Sequence, residues 1–274
     1  MGQLPAERSR ALVGGVAMSL EDARLGITDA GVSRGDGAFE TVGVWNGRPF
    51  RLDEHLQRLD CSLSALSLPA APLGQLRTEA DELVSGLTDD AALRMYLTAS
   101  GTRILTLTPL PERPEPRVLI PQPAPWIQPV DSYTPAGAKS MSYGPNMAAS
   151  RVAIGQGGDD ALLVSIPDSY ILEGPTFGLL FVARGVVHAP EVTLGIVDSI
   201  SRRTLLEIAT ADQLDVLYGR WPLTALGDAG EVIISSSLRS AVAVQRVGEW
   251  TYPRAHPVAD SLNRQLWIRR REVP

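Results

Sequence analysis

The chemistry concentrates in one short run, Ala136-Gly137-Ala138-Lys139-Ser140-Met141-Ser142-Tyr143. Lys139 is the only lysine in the chain; the other 24 of its 25 Lys and Arg residues are arginine. A guanidinium stays protonated, so arginine cannot act as a nucleophile. A desolvated lysine can lose its proton and attack a carbonyl, forming a Schiff base. An Arg-biased chain that keeps one Lys points to that amine, and the alternative is a surface lysine left by drift.

The other usual chemistries are poorly supplied. His55, His188 and His256 are the only histidines, and no two sit at ligand spacing with Cys or acidic partners, so no metal site is expected. Cys61 stands alone, which excludes an internal disulfide framework and suits a cytoplasmic setting; it reads as a packed small apolar residue. Gly155-Gln156-Gly157-Gly158 closes a predicted helix rather than opening one, so it reads as a helix end and not a phosphate loop.

Bulk properties narrow the class further. The chain has 274 residues, 44% apolar and 20% charged, enough for one large or two smaller globular units. A net charge of -6, with no basic run longer than Arg269-Arg270-Arg271, argues against nucleic-acid partners. No apolar run approaches the roughly 18 residues of a membrane span. The first ten residues are polar and lack a signal-peptide core.

The elements that must position Lys139 follow from pattern. Gly14 to Met18 reads as a strand, and Ala38 to Trp45 as another, closed by the Asn46-Gly47 hairpin signal. Leu52, Leu56, Leu59, Leu63 and Leu66 keep helical spacing, and a second helix spans 73–87. Strands at 92–99 and 103–110 flank Ser100-Gly101-Thr102, and Arg117 to Ile120 is a further strand. Residues 121–135 carry five prolines without periodicity and read as an interdomain linker. Beyond it come a helix at 146–156, a strand at 160–166, a short strand at 170–172 and a hairpin around Arg184-Gly185. A helix at 201–210, a strand at 232–235 and a C-terminal helix at 258–271 follow. Without a βαβ rhythm the class is α+β. The expected division is a small N-terminal domain (1–120), a linker (121–135) and a C-terminal cofactor-binding domain (136–274).

Six stretches in order resemble the class IV, or fold-type IV, pyridoxal-phosphate enzymes. They are Arg34-Gly35-Asp36-Gly37-Ala38-Phe39-Glu40-Thr41, His55-Leu56-Gln57-Arg58-Leu59, Lys139 with Tyr143, Leu172-Glu173-Gly174, Gly195-Ile196 through Ile200-Ser201-Arg202, and Glu231 through Ser237. The family includes branched-chain aminotransferases, D-amino-acid aminotransferases and 4-amino-4-deoxychorismate lyases. The resemblance implies a two-domain fold with a larger C-terminal pseudo-barrel, pyridoxal 5'-phosphate as cofactor, and a homodimer with the active site near its interface. It implies that Lys139 forms the Schiff base and moves the substrate's Cα proton. Glu173 would keep the pyridine nitrogen protonated, and Tyr143 would donate to the ring oxygen. Arg58, Ile200, Ser201, Ser236 and Ser237 would hold the phosphate. Arg34 and Arg94 would receive substrate carboxylates, which suit the guanidinium fork.

The expected reaction is transfer of an amino group from an amino acid, with a D-amino acid in view, to a 2-oxo acid. The alternative is 4-amino-4-deoxychorismate lyase, releasing pyruvate and 4-aminobenzoate; an inactive relative is a remote third. The chain departs from the family pattern at Gly178, where an Asn is common, and at Asp198-Ser199, where Pro-Gly is common.

Overall fold

A computed structural model describes residues 2–112 and 115–272. The chain divides into two compact units. Among the described residues, the first holds 2–112 and 138–143, and the second holds 115–137 and 144–272. This differs from the sequence expectation in two ways: the presumed linker belongs to the second unit, and Lys139 belongs to the first.

The first unit contains β1 (Arg10–Val13), β2 (Val16–Ser19), α1 (Ala30–Ser33), β3 (Gly37–Trp45), β4 (Arg48–Pro49), α2 (Leu52–Ala65), α3 (Leu73–Val84), β5 (Ala91–Thr98) and β6 (Arg103–Thr108). The strands form one antiparallel sheet ordered β2-β1-β6-β5-β3-β4. The strand expected at Gly14–Met18 is instead a hairpin, because Gly14 and Gly15 take positive φ and turn the chain between β1 and β2. One sheet face carries Leu12, Ala38, Val42, Leu93, Met95 and Leu105, which α2 and α3 bury with Leu56, Leu59, Leu63 and Leu76. Alternation along each strand sends the intervening residues to the opposite face. There the register aligns Phe39 with Tyr96 and Ile104, and Thr41 with Arg94 and Thr106.

The second unit contains β7 (Val118–Pro123), α4 (Gly144–Gly155), β8 (Asp160–Val164), β9 (Gly178–Ala183), β10 (Val186–Pro190), α5 (Ile200–Ala211), β11 (Val216–Gly219), β12 (Glu231–Ser236), β13 (Arg239–Val244), β14 (Arg246–Val247), β15 (Trp250–Thr251) and α6 (Pro257–Arg271). Two sheets, β11-β10-β9-β12-β13 and β15-β14-β7-β8, share a core of Leu119, Leu162, Phe181, Val232 and Val244 among others. Helices α5 and α6 cover the outer face of the first sheet, and α4 packs Ala149 and Ala153 on the other.

Strand β7 overturns the linker reading of residues 121–135 over its first part. Ala124 donates its N–H to Val164 on β8, so by alternation the prolines at 121 and 123 face the other edge. On that edge β14 pairs only with Val118 and Leu119 and ends before the prolines. Proline is compatible with a strand where no donor is needed. The expected strand at 170–172 reduces to isolated bridges at Tyr170 and Ile171. Cys61 is exposed rather than packed. It lies out of phase with Leu56, Leu59 and Leu63, which form the buried stripe of α2.

Candidate active site

In the first unit, the Lys139 segment is stitched to the start of β3. Phe39 N–H donates to the Lys139 carbonyl at 3.0 Å, and Met141 N–H donates to the Gly37 carbonyl at 2.8 Å. The glycines of the Gly35-Asp36-Gly37 motif permit this approach. A Cβ on Gly35 would lie 2.8 Å from Ser142 Oγ, and one on Gly37 would lie 2.5 Å from the Leu97 carbonyl. Both also take positive φ, which glycine tolerates. Ser62 on α2 adds a third tie, its Oγ accepting from Lys139 N–H at 3.0 Å.

These bonds set the segment along the free edge of β3, with the amine beside Phe39. Lys139 Nζ donates to Tyr143 Oη at 3.2 Å and stands 4.3 Å above the Phe39 ring centroid. Phe39 meets Tyr143 edge-on at 5.1 Å and stacks on Tyr96 at 5.8 Å. Burial pushes the Tyr96 phenol up, outweighing the opposite pull of Arg94 and Lys139, so it stays protonated. Arg94 donates to Thr108 Oγ1 at 2.9 Å on the same face. A mainly apolar cavity of about 250 Å3 adjoins, lined by Val13, Leu25, Tyr96, Ile104 and Met141, with Arg24 among its walls. Arg34 stands exposed at the C-cap of α1.

On the helix-covered face of the sheet, Glu40 is completely buried. Arg58 forks onto it, Nε to Oε1 at 2.7 Å and Nη2 to Oε2 at 2.8 Å, and His55 Nδ1 lies 2.7 Å from Oε2. Two sequence motifs, the Phe39-Glu40-Thr41 strand and the His55–Arg58 helix turn, are therefore one cluster. Burial raises the Glu40 carboxyl, but Arg58 and then His55 more than offset it, holding it well below the usual carboxylate range. Burial lowers His55, and Glu40 only partly restores it. Burial, aided by the charges of Arg58 and Lys139, leaves His55 neutral, its Nδ1–H donating to the ionised Glu40. Arg58 thus stands inward beside a buried carboxylate rather than out in solvent.

In the second unit, Glu173 is buried and its Oε1 accepts from Val197 N–H at 3.2 Å. Helix α5 begins at Ile200, with Ser199 as N-cap: its Oγ accepts from Arg202 N–H at 3.3 Å. Ile200 and Ser201 supply the first helical N–H groups, both residues being buried. Such an N-terminus favours an anion through its aligned donors and dipole. Asp198 pairs with Arg203 at 3.1 Å, which occupies the carboxylate that would repel an anion.

Gly178 takes a physical role where the family commonly has Asn. It pairs with Ser235 on β12, and a Cβ there would sit 3.3 Å from the side chains of Arg202 and Ser199. Its bareness lets the α5 N-terminus pack against the start of β9, whose partner on β12 is Ser235. Arg202, 3% exposed, donates to the Pro190 carbonyl at 2.8 Å. Burial lowers its pKa, while the charges of Glu173 and Asp198 raise it. Sequence reasoning missed Ser62, and it met Ser199 and Arg202 only within the phosphate-turn resemblance, without the cap or the inward bond the fold gives them.

A helix N-terminus with hydroxyls beside it, and a buried carboxylate in the same unit, match a phosphate and a protonatable ring nitrogen. These donors fit pyridoxal phosphate. Comparison with known proteins agrees. The amino-transferase class IV profile matches residues 37–247. The chain is similar to the bifunctional aminodeoxychorismate lyase / D-amino acid transaminase of Mycobacterium tuberculosis, 28% identical over 264 residues, 85% of this chain and 88% of that one. It superposes on a fold IV transaminase from Curtobacterium pusillum with TM-score 0.86 and 28% identity, covering 96% of this chain and 98% of that one. It also superposes on the PLP-bound form of a hypothetical aminotransferase from Mycobacterium tuberculosis, TM-score 0.83 and 26% identity, covering 95% and 98%. With more than half its length matched by the profile, the chain belongs to the amino-transferase class IV family.

Proposed function

We propose that the chain is a pyridoxal-phosphate transaminase that moves an amino group from an amino acid, D-amino acids first among them, to a 2-oxo acid. The observation that carries this is Lys139, the sole lysine, held by its backbone with Nζ on Tyr143 Oη and over the Phe39 ring. The cofactor, when bound, supplies an electron sink that makes the substrate's Cα proton removable. Lys139 Nζ holds the cofactor covalently, then takes the Cα proton and returns it. Tyr143 orients the amine through its hydroxyl. Glu173 keeps the pyridine nitrogen protonated. The N–H groups of Ile200 and Ser201, with Ser236, Ser237 and Arg58, hold the phosphate.

Arg34 and Arg94 receive the substrate carboxylate, and the apolar cavity beside Tyr96 takes the side chain and excludes water. A homodimer in the cytoplasm is the working form in this reading, supported by the family resemblance. The test is amino transfer from D-alanine to 2-oxoglutarate by the wild type and by Lys139→Ala. Transfer by the wild type alone supports the reading; a wild type that moves no amino group from any amino acid overturns it.

A second reading, 4-amino-4-deoxychorismate lyase, is favoured by the double activity named for the Mycobacterium tuberculosis relative. Both reactions need the same lysine and the same proton removal. Release of 4-aminobenzoate from 4-amino-4-deoxychorismate tests it directly.

A further inference from the structure

The turn between β12 and β13 is built from residues that do not specify it. Ser237 and Leu238 join strands that pair again at Ser236 and Arg239. Two-residue hairpin loops favour turns with positive φ and hence Asn or Gly. Neither residue type is present here, and neither Ser237 nor Leu238 has positive φ. The ladder also slips in register between Ile234 and Ser236. Such a turn needs a hold from outside the hairpin.

Arg270, in the last turn of α6, supplies one. It is 4% exposed, and its Nη2 donates to the carbonyls of Ser236, Ser237 and Arg239 at 3.1, 3.3 and 2.8 Å. In a trans peptide the C=O and the next N–H point to opposite sides. Drawing the Ser236 and Ser237 carbonyls toward α6 therefore aims the N–H groups of Ser237 and Leu238 away from it. Successive N–H groups aimed alike make an anion-binding concavity.

The other end of α6 is tied to the same strand. Glu231, at the start of β12, accepts from the N–H groups of Val258 and Ala259 at 3.0 and 2.9 Å. The lengths match: about 18 Å of helix from Val258 to Arg270, against about 17–20 Å of strand from Glu231 to Ser237.

We propose that Arg270 is a positioning residue for phosphate recognition: from the C-terminal helix it fixes the two N–H groups that, with Ser237 Oγ, bind the cofactor's phosphate. This rests on the reading of the Ser236–Ser237 turn as part of the phosphate site. The test titrates apoprotein with pyridoxal 5'-phosphate and with pyridoxal, which lacks the phosphate. Arg270→Gln weakens binding of the phosphorylated form roughly tenfold, the loss of one or two hydrogen bonds to an anion, and leaves pyridoxal affinity unchanged. Ser237→Ala shows the same selectivity.

Equal losses for both ligands, or no loss in Arg270→Gln while Ser237→Ala shows one, overturn the role of Arg270 alone. A Ser237→Ala protein with wild-type affinity overturns the turn reading and the proposal with it. If Arg270→Gln does not fold, Arg270→Lys gives the same comparison. One ammonium cannot span three carbonyls, so a smaller loss selective for the phosphorylated ligand is expected, and an unselective one contradicts the proposal.

Discussion

Three neighbours set the chemistry of Lys139: a hydroxyl 3.2 Å from Nζ, an aromatic face at 4.3 Å and a backbone pinned at its carbonyl, its N–H and Met141. None of these is a carboxylate, so the amine is oriented without being locked into an ion pair. Lys139→Ala is expected to fold, to lose its covalent cofactor and to lose at least about 10²–10⁴-fold in rate, the contribution of a positioned acid–base group. Steady-state kinetics and a denaturing wash that strips non-covalent cofactor check both parts. Glu40 answers to a different demand. Glu40→Gln leaves Arg58 beside a neutral group in the interior, which costs about 3–5 kcal/mol and is read from denaturant unfolding.

Residues with irreplaceable chemistry were the legible ones. Lys139 stands out because no other side chain in the chain can do its work; Gly35 and Gly37 came only with the family resemblance, and the collisions that require them show only in the fold. Arg270 was not legible: in the run Arg269-Arg270-Arg271 it reads as a solvated face. Helical phase turns it fully inward while its neighbours are only half-buried, and its acceptors lie more than thirty positions earlier.

At the scale of elements, the second unit depends on how α5 meets β9 and β12. Ser199 satisfies the Arg202 N–H and leaves the first helical donors for an anion. Ser199→Ala is expected to destabilise the protein by about 1 kcal/mol, measured as a shift in unfolding midpoint of the apoprotein. It should also weaken binding of the phosphorylated cofactor. Helix α2 was readable from its leucine stripe, and the hairpin around Arg184-Gly185 from its turn residues. Strand β7 was hidden because its prolines are punctuation in sequence but edge residues in space. The division into units was hidden for a related reason: residues 138–143 pair with β3 by backbone bonds, which no side-chain pattern announces.

For the whole molecule, the Glu40–His55–Arg58 cluster links stability to pH. His55 titrates below its ordinary 6.5 in the folded chain. As pH falls through 6.5 the unfolded chain binds that proton first, so stability declines from there downward. Glu40 is held below its ordinary 4.5, so its contribution is present above that value and is lost as pH falls further. Thermal midpoints should drop in two stages, the first as pH falls below 6.5 and the second as it falls below 4.5. His55→Gln should flatten the first stage and keep the second. The two-unit architecture is that of the fold IV transaminases, and a homodimer is expected from light scattering at micromolar concentration.

The most direct measurement is the visible spectrum of the purified protein before and after D-alanine. The account predicts a yellow protein, its colour carried by Lys139, that D-alanine bleaches. Colourless protein that takes up no added pyridoxal phosphate, or an equally yellow Lys139→Ala, would contradict it.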